Sequence, residues 1–381
     1  MEKKNKIILT SLHLKHGGVE MVITSLANAL VEKGFDVEIL CTYHLGAPAY
    51  PLNQKVKVTY LTHDVPNRQQ FIEAVQSKNP IRIIHEGIRA VQILRRKKST
   101  MKLAIRGIRE GVVISTRHEH TLLLSRYGNP KVKKIAQLHS DHAFNKKLIH
   151  EIQSGYQNID YFILLTQQTT EEVSGFLQGY NKKTKCVTIP NFIIPPAINI
   201  PDHKKQQVIA AGRLHPDKDF SSLLRIWAKV IDTHPGWHLK IAGEGDLEQS
   251  LKQQAAALHI EDSVYFTGAL EHSALLQEMA DSACYVLTSV SESFGLVLVE
   301  SMACGTPPIA FDVRVGPTAI IQDGATGFLI SDRSEDLFAE KLAYLMDNPK
   351  ACKELAKQAQ IRAKDFYKEK ILDQWMKVLI P

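Results

Sequence analysis

Apolar positions along the chain follow two rhythms, short continuous runs and runs with apolar residues every three or four positions. KIILTSL (6–12) is a continuous run that ends in the turn HLKHGG. VEMVITSLANALVEKG then repeats apolar residues at helical spacing and stops at Gly34, and FDVEILCTY (35–43) is the next continuous run. Strand, Gly-containing turn, helix and strand in this order predict a βαβ unit, hence a parallel sheet with helices on its faces. After the proline-rich segment IPNFIIPPAINIPDHKK (189–205) the rhythm restarts. QQVIAAGRL, WHLKIAGEG, SVYFTGAL, ACYVLTSV and TPPIAFDV read as strands, with SSLLRIWAKVIDTHP and LEQSLKQQAAALHI as helices between the first three.

The fold class expected from this pattern is α/β, with two Rossmann-like doubly wound domains facing a central cleft. A chain of 381 residues exceeds what one hydrophobic core usually serves. The expected division is an N-terminal domain at 1–195, a C-terminal domain at 196–365 and a terminal helix at 366–381, where FYKEKILDQWMKVLI is apolar at helical spacing. Ligands of open parallel sheets sit beyond the carboxyl ends of strands, so the loops that follow strands are where chemistry is expected.

Composition narrows the class. Hydrophobic residues make up 44% of the chain, as in ordinary globular proteins. Cys41, Cys186, Cys284, Cys304 and Cys352 are far apart and form no CxxC pair, so neither a disulfide framework nor a zinc site is indicated. No run reaches the ~20 apolar residues of a membrane span, and MEKKNKIILTSLHLKHGG lacks a secretory layout. The expected location is the cytoplasm, peripheral at the inner membrane face if the basic segment described below docks there. The net charge of +7 is unevenly spread: residues 1–195 hold 28 Lys and Arg against 15 Asp and Glu (+13), and residues 196–381 hold 19 against 25 (−6). The first half is therefore suited to an anionic partner.

Several loops carry candidate chemistry. Gly17 and Gly18 lie where a strand gives way to a helix, which is either a plain tight turn or an approach for an anion to the helix N-terminus. Arg213 and Lys218 share the loop after the first strand of the second domain, either as converging contacts to a diphosphate or as solvated surface charges. Gly243 and Glu244 close another strand. In SESFGLVLVESMACGTP (291–307), Glu292 lies at a strand's carboxyl end and Glu300 within the following helix. Both acids can address hydroxyls of one ligand, while the N–H groups of Gly295 to Val297 offer a phosphate the positive end of the helix dipole.

GGVEMV, GRLHPDK, GEGDL, FTGAL, SESFGLVLVESMACGTP and GPTAIIQDGATGFLI together resemble the retaining nucleotide-sugar glycosyltransferases of family 4, which have the GT-B fold and the E-x7-E signature that Glu292 and Glu300 match. The resemblance spans essentially the whole chain, strongest over 208–330, and implies an acceptor-binding first domain, a donor-binding second domain and a terminal helix that crosses back to the first. It implies donor diphosphate contacts at Arg213, Lys218, Gly17, Gly18, Phe294, Gly295, Leu296 and Val297. It places Glu300, Gly243, Glu244, Ala269 and Leu270 around the ribose and base, and makes Glu292 and His139 the catalytic residues, with His142, His118 and His120 as rivals to His139. It also implies retention of anomeric configuration, a donor base that is most often uracil in the family, and neither a metal nor a cofactor. Asp246, Ala319 and Phe192 stand where the family often has Pro, Glu and Gly, which bears on donor sugar and acceptor.

The segment IRAVQILRRKKSTMKLAIRGIREG (88–111) has eight Lys or Arg and apolar residues at Ile88, Val91, Leu94, Leu103 and Ile108. It is either a surface for an anionic membrane or the solvated face of an ordinary helix. No nucleic-acid-binding pattern accompanies the charge. The expected partners are a nucleotide-sugar donor and a glycan, lipid-linked or teichoic-acid-like acceptor. The alternatives are a phosphorylase-like enzyme on the same fold and a non-catalytic partner subunit that stabilises another transferase.

Overall fold

The computed structural model describes residues 6–380, so the first five residues of the MEKKNK segment and Pro381 lie outside the described residues. The chain divides into two compact units. The first holds residues up to 164, 170–188 and 377 onward, and the second holds 165–169 and 189–376.

In the first unit, β1 (Lys6–Ser11), β2 (Asp36–Tyr43), β3 (Lys57–Thr62), β4 (Val112–Ser115), β5 (Lys133–Gln137), β6 (Tyr161–Leu164) and β7 (Lys185–Thr188) form one parallel sheet in the order β3-β2-β1-β4-β5-β6-β7. β1 is central, pairing Ile7 with Val37 on one side and Val112 on the other. Its continuous apolar run follows from burial on both faces. The strand order reverses between β1 and β4, which puts a ligand crevice at their carboxyl ends. Helix Gly18–Glu32 buries Val22, Ile23, Leu26, Ala27 and Leu30 and gives way to Gly34 at φ 90°.

In the second unit, β8 (Lys205–Ala211), β9 (His238–Ala242), β10 (Val264–Gly268), β11 (Ser282–Leu287), β12 (Pro308–Phe311) and β13 (Phe328–Ile330) repeat the plan in the order β10-β9-β8-β11-β12-β13. The order reverses between β8 and β11. Helix Phe220–Val230 is anchored by the fully buried Trp227, whose indole N–H donates to Ser263 Oγ at 2.9 Å. Both units are therefore Rossmann-like.

The basic segment belongs to a longer helix, Pro80–Gly107, opened by Asn79, whose side chain accepts from the N–H groups of Ile81 and Arg82. Its buried residues are Ile93, Met101 and Ile105, whereas Ile88, Val91, Leu94 and Leu103 are exposed and Ile108 lies past its end. Four of the five apolar residues singled out in the sequence are thus turned to solvent, because a different set of helix positions packs against the unit, while Ile108 packs partly against its core.

No described helix is long and apolar enough to cross a membrane. All five cysteines are free, and all but Cys186 are buried. Burial pushes Cys41 and Cys304 up to about 12, Cys352 up to about 11, Cys284 well above its ordinary value, and Cys186 in the same direction.

Candidate active site

The two reversal points gather most of the sequence-predicted residues into one half-site per unit. In the second unit, the exit loops of β8 (212–219) and β11 (288–295) are tied together. Val290 N–H donates to the Asp217 carbonyl at 2.8 Å, and the Thr288 hydroxyl donates to the carbonyls of Lys218 and Asp219 at 3.1 and 3.0 Å. Across this seam Lys218 Nζ meets Glu292 Oε1 at 2.5 Å, and Ser289 Oγ donates to the same oxygen at 2.8 Å. Both members of the ion pair are mostly shielded, at 19% and 12% side-chain exposure. Lys218 is thus set against Glu292 rather than beside Arg213. Arg213 is 73% exposed and pairs with Asp217 at 3.6 Å, a contact that holds it weakly.

Gly295, at φ 90°, turns the chain into helix Leu296–Ala303. The carbonyl of Gly295 already accepts from Leu298 N–H, which leaves the N–H groups of Leu296 and Val297 among the orphans of the first turn. Phe294 is buried in the core against Phe366, so what it offers a ligand is backbone. Glu300 is buried and bonds His272 Nε2 at 2.8 Å. That hydrogen bond raises the His272 pKa above its usual value, against the opposing effect of burial. His272 begins the helix that follows Ala269 and Leu270, so the β10 exit loop is fastened to Glu300. Nothing in the sequence around His272 signals this role.

The glycines of GEG have a packing task. A Cβ on Gly243 would sit 1.9 Å from the Gly212 carbonyl oxygen, and one on Gly245 would sit 2.5 Å from that of Leu214. Only glycine lets the β9 exit lie this close to the β8 exit, where Leu214 N–H donates to the Glu244 carbonyl at 2.9 Å.

Arg333, also without a sequence signal, spans the base of the half-site. Nη1 donates to the Ser289 carbonyl at 2.8 Å, and Nη2 donates to the Thr288 carbonyl at 3.1 Å and to the Asp219 carboxylate. Its guanidinium lies 4.3 Å from the Phe311 ring centroid. Asp219 is left-handed at φ 46° and also caps helix Phe220–Val230 through Ser222 N–H.

In the first unit, the helix N-terminus at Gly17 and Gly18 already faces an anion of the chain itself. Glu20, 4% exposed, folds back so that a Cβ on Gly17 would lie 2.1 Å from its Oε2. Arg117 Nη2 pairs with Glu20 at 2.6 Å, His13 Nδ1 lies 3.8 Å from it, and Gly17 N–H donates to the Tyr50 hydroxyl at 3.3 Å. Glu20 in the first turn is also favoured by the helix dipole.

The four candidate histidines separate by their partners. His118 is held by the Tyr156 hydroxyl at 2.9 Å and Glu151 at 2.8 Å, and His142 by Glu172 at 2.7 Å and Phe144 N–H at 3.1 Å. His120 lies between the hydroxyls of Thr10 and Thr42, pushed down to about 4 by burial. His139, half-buried, has its Nε2 shielded and without a hydrogen-bond partner among the described residues. Burial, and then the charge of Arg117, push its pKa down to about 3, so the ring is neutral. Arg117 Nε and Gln137 Oε1 are likewise buried and unpartnered. All three atoms belong to residues at or just after the carboxyl ends of β4 and β5.

Residues 195–362 match the model of the family described as glycosyl transferases group 1. The match lies within the second unit and makes that unit similar to the family. An uncharacterized glycosyltransferase of Haemophilus influenzae is 24% identical over 95% of this chain and 96% of its own length. A Campylobacter jejuni N-acetyl-D-galactosaminyltransferase, named for an acceptor carried on PP-undecaprenol, is 27% identical over 100% of this chain and 98% of its own. Among solved structures, Anabaena HepE in complex with UDP superposes with a TM-score of 0.74 at 18% identity, covering 98% of this chain and 99% of that one. At that identity the likeness speaks for the fold alone. The group 1 glycosyltransferase reading and the two-Rossmann GT-B architecture thus agree with the resemblance drawn from the motifs.

Proposed function

We propose that this chain is a glycosyltransferase that moves a hexose or N-acetylhexosamine from a UDP-sugar to a hydroxyl of a lipid-linked glycan, cell-surface polysaccharide or teichoic-acid-like acceptor, with retention of configuration and without a metal. The observation that carries the reading is the seam between the β8 and β11 exit loops, where the Lys218–Glu292 ion pair lies on the loop that leads into the N-terminus of the helix carrying the buried Glu300. Glu300 accepts from the ribose hydroxyls. Arg213 swings from solvent onto the diphosphate, and Lys218 exchanges Glu292 for phosphate oxygen, which frees Glu292 to orient the transferred sugar. The cations and the N–H groups of Leu296 and Val297 offset the charge that develops on the leaving diphosphate. A neutral His139 serves as a hydrogen-bonding contact to the donor sugar or phosphate. The acceptor class is supported by the named acceptor of the Campylobacter relative, and uracil by the UDP bound to HepE.

Peripheral docking on an anionic membrane is part of the proposal. Ile81, Ile84, Ile88 and Val91 are 78%, 63%, 56% and 47% exposed. Their spacing of three and four residues makes one ridge, which Arg95 and Lys98 extend. Co-sedimentation with anionic vesicles should fall when Arg95 and Lys98 are neutralised, and unchanged binding would remove the membrane from the proposal. The catalytic part is tested by a thermal-shift and hydrolysis screen against UDP-, GDP- and ADP-sugars. Stabilisation by a UDP-sugar, lost in Glu300→Ala and Arg213→Ala, is expected, with NMR of the product's anomeric carbon deciding retention. Stabilisation by no donor would turn the search toward a non-catalytic partner role.

A further inference from the structure

The opposite edge of the first unit's sheet, where the strands begin, carries a second concave surface. Lys131, Lys133, Lys183 and Lys185 surround a cavity of about 390 Å³ that Asp160 and Tyr161 help to line. Tyr161 and Lys185 are register partners at the starts of β6 and β7, and Lys133 starts β5 two residues before Ile135, the β5 partner of Tyr161. A five-residue strand such as β5 spans roughly 17 Å, which separates this cavity from the carboxyl edge where Gln137 and His139 lie.

Four ammonium groups face one carboxylate here, and that carboxylate is committed. Asp160 Oδ1 holds Lys183 at 3.0 Å and Oδ2 accepts from Lys134 N–H at 2.7 Å. Lys133 Nζ donates to the Val378 carbonyl at 2.6 Å and lies 5.4 Å from the Tyr161 ring centroid. Among the described residues, Lys131 and Lys185 have no carboxylate partner, and both are exposed at the mouth. Like charges gathered around a concave wall repel one another and focus a positive potential into it. Such an arrangement is relieved by a multivalent anion that takes several ammonium groups at once.

We propose that this cavity binds phosphate or phosphodiester groups at a site separate from the transfer centre. The geometry suits oxyanions bridging Lys131 and Lys185, with Lys183 behind them and the Tyr161 ring as an apolar wall for the carbon skeleton. The phosphate source is either a soluble phosphodiester polymer or the headgroups of an anionic lipid surface.

The test is titration calorimetry of the full chain with inorganic tripolyphosphate, comparing wild type with Lys131→Gln/Lys185→Gln and with Arg95→Gln/Lys98→Gln on the same unit. The first variant should bind about tenfold more weakly with a shallower salt dependence, the second should bind like wild type, and hydrolysis of the nucleotide-sugar should be unaffected by the first. No weakening in the first variant, or equal weakening in both, overturns the proposal, since binding then needs no built site. Competition by a glycerol-phosphate oligomer alone assigns the polymer, and competition by phosphatidylglycerol vesicles alone assigns the headgroup. Competition by neither overturns the phosphodiester assignment.

Discussion

Replacing Arg333 by alanine removes the side chain that ties the β11 exit to Asp219. Its two hydrogen bonds to the carbonyls of Thr288 and Ser289 are charge-assisted, a type that contributes roughly 1.5–3 kcal/mol. The ion pair to Asp219 involves side chains 33% and 22% exposed, so screening holds its share below about 1 kcal/mol. The Phe311 contact at 4.3 Å adds about 0.5–1 kcal/mol. Because one side chain makes all of these, they do not add fully, and a net loss of about 2–4 kcal/mol is expected. For a domain of this size each kcal/mol lowers Tm by about 2–4 °C, which predicts a fall of roughly 4–16 °C. The loop that loses its tether carries Glu292, so the donor KM should rise alongside, more than kcat falls. Arg333→Lys keeps the attraction to Asp219 but not the forked donation and should fall between the two. Differential scanning fluorimetry and donor-hydrolysis kinetics read both effects. An alanine variant with Tm within about 1 °C of wild type and an unchanged KM would falsify the tethering role.

Two further outcomes follow from the same half-site. The folded pKa of His272 is raised by Glu300, so this pair contributes its full stability below the unfolded value near 6.5 and loses it as pH rises through the higher folded value. The Tm difference between wild type and His272→Gln should therefore shrink from mildly acid to alkaline pH, and a difference constant across that range contradicts the pairing. Gly243→Ala would put a Cβ 1.9 Å from the Gly212 carbonyl oxygen at φ 147°, which should cost about 3 kcal/mol or more. A urea midpoint equal to wild type shows that the β8 and β9 exits do not need to lie so close.

The elements that were legible in the sequence are those whose pattern is local. KIILTSL and FDVEILCTY announce β1 and β2 because both faces of a central parallel strand are buried, and Gly34 marks the end of the first helix because its left-handed conformation favours glycine. Glu292 and Glu300 were visible because a strand–loop–helix signature surrounds them. Arg333 was not, since the group it holds, Asp219, is 114 positions away, and only the sheet's strand order brings the two together. His272 meets Glu300 across 28 positions for the same reason. Gly243 reads differently: a glycine reports that something approaches the backbone, here the Gly212 carbonyl, without saying whether a ligand approaches as well. In helix Pro80–Gly107, apolar residues occur all round, so periodicity alone could not say that Ile93, Met101 and Ile105 would be the buried ones.

The state of the cysteines has a practical consequence. A thiol attacks oxidants and alkylating reagents as its thiolate, and in Cys41, Cys284, Cys304, Cys352 and Cys186 burial raises the pH at which that form appears. The folded chain should thus be nearly silent toward maleimides at neutral pH without removal of any native cysteine. A single cysteine introduced at an exposed position such as Lys98 then becomes the one fast-reacting group, and its labelling rate becomes a direct optical measure of whether that surface is covered.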